Sequence, residues 1–287
     1  MVDIASIVVA VISLIASVAV AGFSAYLNYS TDKRKARREA EHLLQKYRDP
    51  LLFAAEDLQS RIWGIFEADV LDFAGRSPQH DDSLYIYTAF VLGQFFAWTH
   101  ILRRQAQLLP FSLEEDKRLR EFIEVLHSIQ GVMLISRYVK EEGTAFTLWR
   151  GHQMAIGELM TEVGDNSEKM CMGFYDFTKA WKASPGDAQY DPHYWFKPIV
   201  EGLKTLTEKG TTTPTGNRLR RLQHLLIDLI EVLDPQKQRL HSKGISRCGA
   251  APHCPCSKCP GEVGVRDTTG ARTSPHSLWS RRTSETV

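Results

Sequence analysis

The opening thirty residues constrain this chain more than any others. From Ile4 to Ser30 no side chain except tyrosine can ionise, and Ile4–Phe23 consists of Val, Ile, Ala, Leu and Ser with a single Gly and a closing Phe. About 20 such residues, rising 1.5 Å each, cross the roughly 30 Å hydrocarbon core of a bilayer. Lipid leaves unpaired backbone groups unsatisfied, so a single span has to be helical. The sequence therefore predicts a transmembrane anchor over residues 1–30. Tyr26 and Tyr29 fall where an aromatic interfacial belt belongs. The basic cluster Lys33, Arg34, Lys35, Arg37 and Arg38 follows, whereas only Asp3 precedes the apolar run. By the positive-inside rule the N-terminus lies outside and the main domain is cytoplasmic.

The competing reading is a cleaved signal peptide, since Ala19-Val20-Ala21 resembles a small-x-small cleavage site. Against it, no Lys or Arg leads the apolar run, and the basic cluster behind it would resist export. Asn28-Tyr29-Ser30 has the form of a glycosylation sequon, but it abuts the membrane on the cytoplasmic side and is expected to be unused. Ser13, Ser17, Ala21 and Ala25 recur every fourth residue and set small side chains on one face. Such a face lets two membrane helices pair as a homodimer; the general Ala and Ser content of membrane helices explains the same residues without one.

Behind the anchor, residues 31–48 read as a basic juxtamembrane helix able to touch anionic headgroups, at on the order of 1 kcal/mol per cation near the surface. Asp49-Pro50 reads as a fresh helix start, with Asp as N-cap and Pro at the first helical position. Leu51, Leu52, Ala55, Leu58, Ile62, Ile65 and Phe66 then form one apolar stripe. Leu84–Leu102 lacks Lys, Arg, Asp and Glu and has the length of a second span. Its Thr88, Gln94, Thr99 and His100, and its aromatic rather than aliphatic content, fit the central helix of a bundle better. Ser112-Leu113-Glu114-Glu115 is a capping box. Further helices are expected over Arg150–Glu162, over Asp165–Lys182 and from about His193 to Thr207, while Val132–Val139 could be helix or strand. Leu219, Leu222, Leu226, Leu229 and Leu233 form a seam for helix packing. The predicted class is all-α: an anchor, a multi-helix bundle domain over 49–236, and a disordered tail over 237–287 rich in Ser, Pro and Cys.

Three stretches carry a resemblance: Tyr47–Leu52 with Asp57–Ile62, Phe95–Arg104, and Trp149–Leu159. Together they resemble an uncharacterised family of proteins with one N-terminal span and a helical soluble domain, over roughly residues 1–235. The resemblance implies anchor plus helical domain and brings no activity, no cofactor and no catalytic residue.

Candidate chemistry is sparse. Arg150, His152, Gln153 and Glu158 form a polar cluster in which a His and a Glu could exchange protons and an Arg could hold an anion. His152 and Glu158 are six residues apart, so a single helix sets them on opposite faces. The plainer reading is a polar helix face over the core, with Gly151 and Gly157 permitting a close helix approach. Asp57, Gln59 and Arg61 beside Trp63 could line a groove, but read more simply as a solvated face or an internal salt bridge, and His100 reads as a core histidine. Four of the five cysteines, Cys248, Cys254, Cys256 and Cys259, crowd into the tail. Their thiolates could hold zinc, although only Cys256 and Cys259 have C-x-x-C spacing. Arg218, Arg220 and Arg221 make a basic patch with no aromatic platform, and the net charge of +1 supplies no field, so nucleic acid is not an expected partner. The partners expected are the lipid bilayer, a second copy of the anchor, and proteins that the sequence does not identify. The favoured function is a non-catalytic membrane-anchored scaffold or signalling component. The alternative is a membrane-tethered enzyme with a pocket around Arg150, His152 and Gln153.

Overall fold

The computed structural model describes residues 4–106, 117–134, 145–164, 167–184, 191–240 and 245–259. The capping box at Ser112 and most of Val132–Val139 lie outside the described residues, as does the chain from 260 onward. The protein is mostly helical. Helix α1 spans Ile4–Glu67, a run of 64 residues, which at 1.5 Å per residue is ~96 Å long. It is followed by a 3₁₀ turn at Val70–Phe73, α2 (Pro78–Asp81), a π-helical turn at Asp82–Ile86, and α3 (Tyr87–Ala106). Next come α4 (Lys117–Val132), α5 (Arg150–Leu159), and a hairpin of β1 (Thr161–Val163) with β2 (Lys169–Cys171). The described elements close with α6 (Phe174–Ala183), α7 (Pro192–Lys209) and α8 (Pro214–Leu233).

Helix α1 has two different halves. Val18, Val20, Phe23, Tyr26, Leu27 and Tyr29 are exposed, whereas Leu51, Leu52, Ala55, Leu58, Ile62 and Ile65 are buried as the stripe predicts. The helix does not restart at Asp49-Pro50; Pro50 sits inside it. An interior Pro forfeits one hydrogen bond and costs about 3 kcal/mol, and burial of the adjoining Leu51, Leu52, Ala54 and Ala55 offsets that cost. Among the described residues no helix is long and apolar enough to cross a membrane. Most of the expected span falls on residues 4–12 and 14–16, whose side chains lie outside the described set.

Leu84–Leu102 is core. Ala89, Phe90, Val91, Leu92, Phe95, Phe96, Ala97 and Ile101 are all buried, and α3 packs on α1 and α5. Helix α8 is buried nearly all round, from Leu219 through Ile230, because α1 and α4 both pack on it and α7 touches it. The five seam leucines are inside as expected, but the seam understates how central this helix is.

Three expectations need correction. The helix from Arg150 stops at Leu159, and after Met160 the residues Thr161–Val163 pair antiparallel with Lys169–Cys171, Glu162 opposite Met170. Arg218, Arg220 and Arg221 are not a surface patch. Arg218 is buried and donates to the Ala145 carbonyl and Thr147 Oγ1, Arg220 lies over the Phe66 ring at 4.4 Å, and Arg221 donates to the Asn217 carbonyl. The tail is not disordered throughout: residues 245–259, which we call the strap, have no regular secondary structure yet bury Cys248, Ala251, Cys254 and Cys256 against the core.

Candidate metal centre

The predicted polar cluster does not converge. Gln153 is buried and spends its amide N–H groups on the Gln130 and Leu148 carbonyls, at 3.2 and 2.8 Å. His152 packs edge-on against Trp195, ring centroids 5.5 Å apart. Glu158 faces Arg104 at 3.7 Å on the exposed side of α5. Arg150 is exposed and borders, with Gln153, Thr99, His100 and Arg103, a groove of about 90 Å³. That is small beside the roughly 300–1,000 Å³ of ligand pockets, and neither His152 nor Glu158 lines it. His100 is half-buried rather than core, and burial holds its pKa below the ordinary range. Of the two glycines, Gly157 serves a close approach: a Cβ there would meet His100 Cβ at 2.7 Å and the Phe96 carbonyl at 2.9 Å. At Gly151 it would meet nothing within 4 Å. Gln59 is buried rather than solvated. Of the basic cluster at 33–38, Arg34, Lys35 and Arg38 are exposed, and the side chains of Lys33 and Arg37 lie outside the described set.

The cysteines do converge. One donor atom each from His224, Cys254, Cys256 and Cys259 falls within a sphere of contact in which all lie within 4.8 Å of one another. Three of the four ligands expected from sequence are present; Cys248 is not among them, and His224 of α8 takes its place. The substitution has a structural cause. His224 Nε2 lies 2.8 Å from the Cys248 carbonyl oxygen, to which only a protonated ring nitrogen can donate. The bond fixes the tautomer and leaves the Nδ1 lone pair facing the thiols, as the outer hydrogen bond of a metal-ligating His commonly does. Cys248 thus orients a ligand through its backbone, and burial pushes its own thiol up to about 12.

Nδ1 of His224 lies 3.1 Å from Cys259 Sγ, 3.4 Å from Cys254 Sγ and 3.8 Å from Cys256 Sγ. Tetrahedral zinc, with Zn–S of about 2.3 Å and Zn–N of about 2.0 Å, sets N···S edges of roughly 3.5 Å, so the donors already stand near the required spacing. Burial would raise the Cys256 thiol, but backbone N–H groups of Cys259 and Lys258 outweigh it and bring the group below its ordinary value; the Cys259 N–H lies 3.2 Å from Cys256 Sγ. Burial pushes Cys254 and Cys259 upward, the direction a bound cation would reverse. Burial also holds His224 below its ordinary range, which keeps the imidazole neutral and able to ligate.

A row of polar side chains on α8 seats the strap around this centre. The Gln223 amide donates to Gln59 Oε1 of α1 at 3.2 Å and to the Ser246 carbonyl at 2.8 Å, while its oxygen accepts from the Cys248 N–H at 3.2 Å. One turn on, Asp228 pairs with Arg247 at 2.7 Å and accepts from the Ser257 N–H at 2.8 Å and hydroxyl at 2.7 Å. Arg247 also donates to the His224 carbonyl at 2.8 Å, and Lys258 reaches Glu231 at 2.6 Å. Positions 224, 228 and 231 share one helix face.

These features define a helical domain whose C-terminal strap is seated by a buried Cys₃His cluster. No family model, curated protein or solved structure matches the chain.

Proposed function

We propose that the protein is a non-catalytic scaffold, anchored by a single N-terminal membrane helix with its main domain in the cytoplasm, and that zinc at His224, Cys254, Cys256 and Cys259 fixes the C-terminal strap to that domain. The observation that carries this reading is the closed donor set. Four protein ligands fill a tetrahedral site and leave no position for water or substrate, which is the signature of structural rather than catalytic zinc. Three sulfurs with one imidazole favour zinc over hard cations such as magnesium or calcium. The metal contributes cohesion between α8 and the strap and no reaction step.

The anchor rests on the apolar run Ile4–Phe23 and on the exposed Val18, Val20, Phe23, Tyr26, Leu27 and Tyr29 of α1. An exposed apolar array this continuous calls for an apolar surrounding, and lipid supplies one. The exposed Arg34, Lys35 and Arg38 beyond it favour the cytoplasmic side for the domain. Pairing of two copies through Ser13, Ser17, Ala21 and Ala25 is the membrane contact this reading includes. The resemblance over residues 1–235 points to the same anchor-plus-domain plan.

Two measurements test the proposal. Full-length protein purified from membranes in mild detergent should contain one zinc per chain by elemental mass spectrometry. Protease added outside intact cells should leave the domain whole, and permeabilised cells should lose it. A metal-free chain rejects the structural zinc, and digestion from outside rejects the orientation.

A further inference from the structure

Resting on the zinc reading above, we propose that the centre is a clasp: metal occupancy decides whether the strap lies on α8 or leaves it. The strap lacks the means to stay by itself. Residues 245–259 form no helix and no strand, so no ladder of backbone bonds ties them to the domain. Their backbone is read instead by side chains of α8. Gln223 takes the Ser246 carbonyl and the Cys248 N–H, His224 the Cys248 carbonyl, and Asp228 the Ser257 N–H. Apolar burial is confined to small side chains, Cys248, Ala251, Cys254 and Cys256, with Ile245 partly buried. Ordering fifteen residues costs more conformational entropy than a handful of exchanged hydrogen bonds returns.

The ligands are distributed so that the metal closes that balance. Three donors belong to the strap and one to α8, so the site exists only when the two are together. Metal binding and docking are then one equilibrium. Arg247 reports on it. When docked, its guanidinium is held by Asp228 and the His224 carbonyl, and its side chain is 16% exposed. When the strap leaves, Arg247 is free in an extended chain, and Gln223, His224 and Asp228 are uncovered as a row that accepts extended backbone.

The test uses the full-length protein in nanodiscs. Trypsin cleavage after Arg247 is followed by mass spectrometry with zinc bound, after chelation, and after zinc is restored, with helical circular dichroism recorded throughout. Linkage gives the expected size: zinc at about 100 times its dissociation constant shifts docking on the order of 100-fold. Chelation should therefore speed cleavage at Arg247 by about that factor, readdition should reverse it, and the helical signal should not change. Cys256→Ser should stay cleavable at any zinc concentration. If the metal is gone and Arg247 is still protected, or if the helices melt together with the strap, the clasp is overturned. A chain that never takes up zinc overturns the zinc reading itself, a result told apart by metal analysis of the same sample.

Discussion

Of the segments that lie against α8, the second half of α1 and the strap are held by different physics. The second half of α1, whose Leu51, Leu52, Leu58 and Ile62 are all buried, packs on a helix whose own Leu222, Leu226 and Leu229 are buried as well. The strap presents carbonyls, amides, one guanidinium and three thiols to Gln223, His224, Asp228 and Glu231. The first contact is non-directional and proportional to area; the second depends on particular atoms and, in the function proposed above, on zinc. One helix thus serves as an apolar core element on one side and a polar seat on another. The contrast implies that damage to the apolar side unfolds the domain, whereas damage to the polar side only frees the strap.

The sharpest way to break the comparison is Leu226→Ala. Leu226 is wholly buried, and truncating such a leucine costs about 2–5 kcal/mol through lost transfer energy and the cavity left behind. Urea unfolding followed by helical circular dichroism should show a loss in that range. If only strap protection changed, the division of labour would be wrong. Asp228→Ala comes next. It removes the acceptor for Arg247 and Ser257, groups that regain water once the strap lifts, so about 1–3 kcal/mol is at stake. The loss should appear as faster amide exchange at Ser257 with little change in the urea midpoint. His224→Ala and Cys248→Ala then separate ligand from support. The first should abolish stoichiometric zinc and the second should retain it, because Cys248 acts through its carbonyl.

The apolar contact was legible in the sequence and the polar one only in part, for a physical reason. Helical burial leaves a period, so the stripe from Leu51 to Ile65, the core character of Leu84–Leu102 and the leucine seam could all be read by spacing. A three-residue strand has no period to read, which is why Thr161, Glu162 and Lys169–Cys171 read as helix from spacing alone. Arginine is seldom buried, so Arg218, Arg220 and Arg221 read as a basic patch, although Ala145 and Thr147 take up the donors of Arg218 inside. Cysteine crowding marked the metal centre, but crowding along the chain cannot select a ligand 30 residues or more away from its partners, as His224 is from Cys254 and Cys259. The one trace was a histidine set between Leu222 and Leu226 on an apolar seam. The candidate cluster at Arg150 failed for the complementary reason, since residues near in sequence on one helix point to different sides.

The smallest expected effect lies at the junction of the two regions. Asp234 closes α8, and its carboxylate accepts from the backbone N–H groups of Gln238, Arg239 and Leu240 at 3.0, 2.8 and 3.0 Å. Burial by itself would raise its pKa, but those three donors outweigh burial and hold the group below the usual carboxylate range. A carboxyl depressed in the folded state adds stability that is fully present above its unfolded value of about 3.9 and is lost as pH falls through the lower folded value. Asp234→Asn should therefore lower the melting temperature at neutral pH by the equivalent of about 1 kcal/mol. The gap between the two proteins should hold down to about pH 5, begin closing near 3.9, and vanish below the folded value. Both proteins keep the same Cys₃His cluster, so the acid lability of the proposed zinc cancels in the difference. A gap that widened as the pH fell would mean that Asp234 is held by something other than these three amides, and the turn leading out of α8 toward the strap would need another explanation.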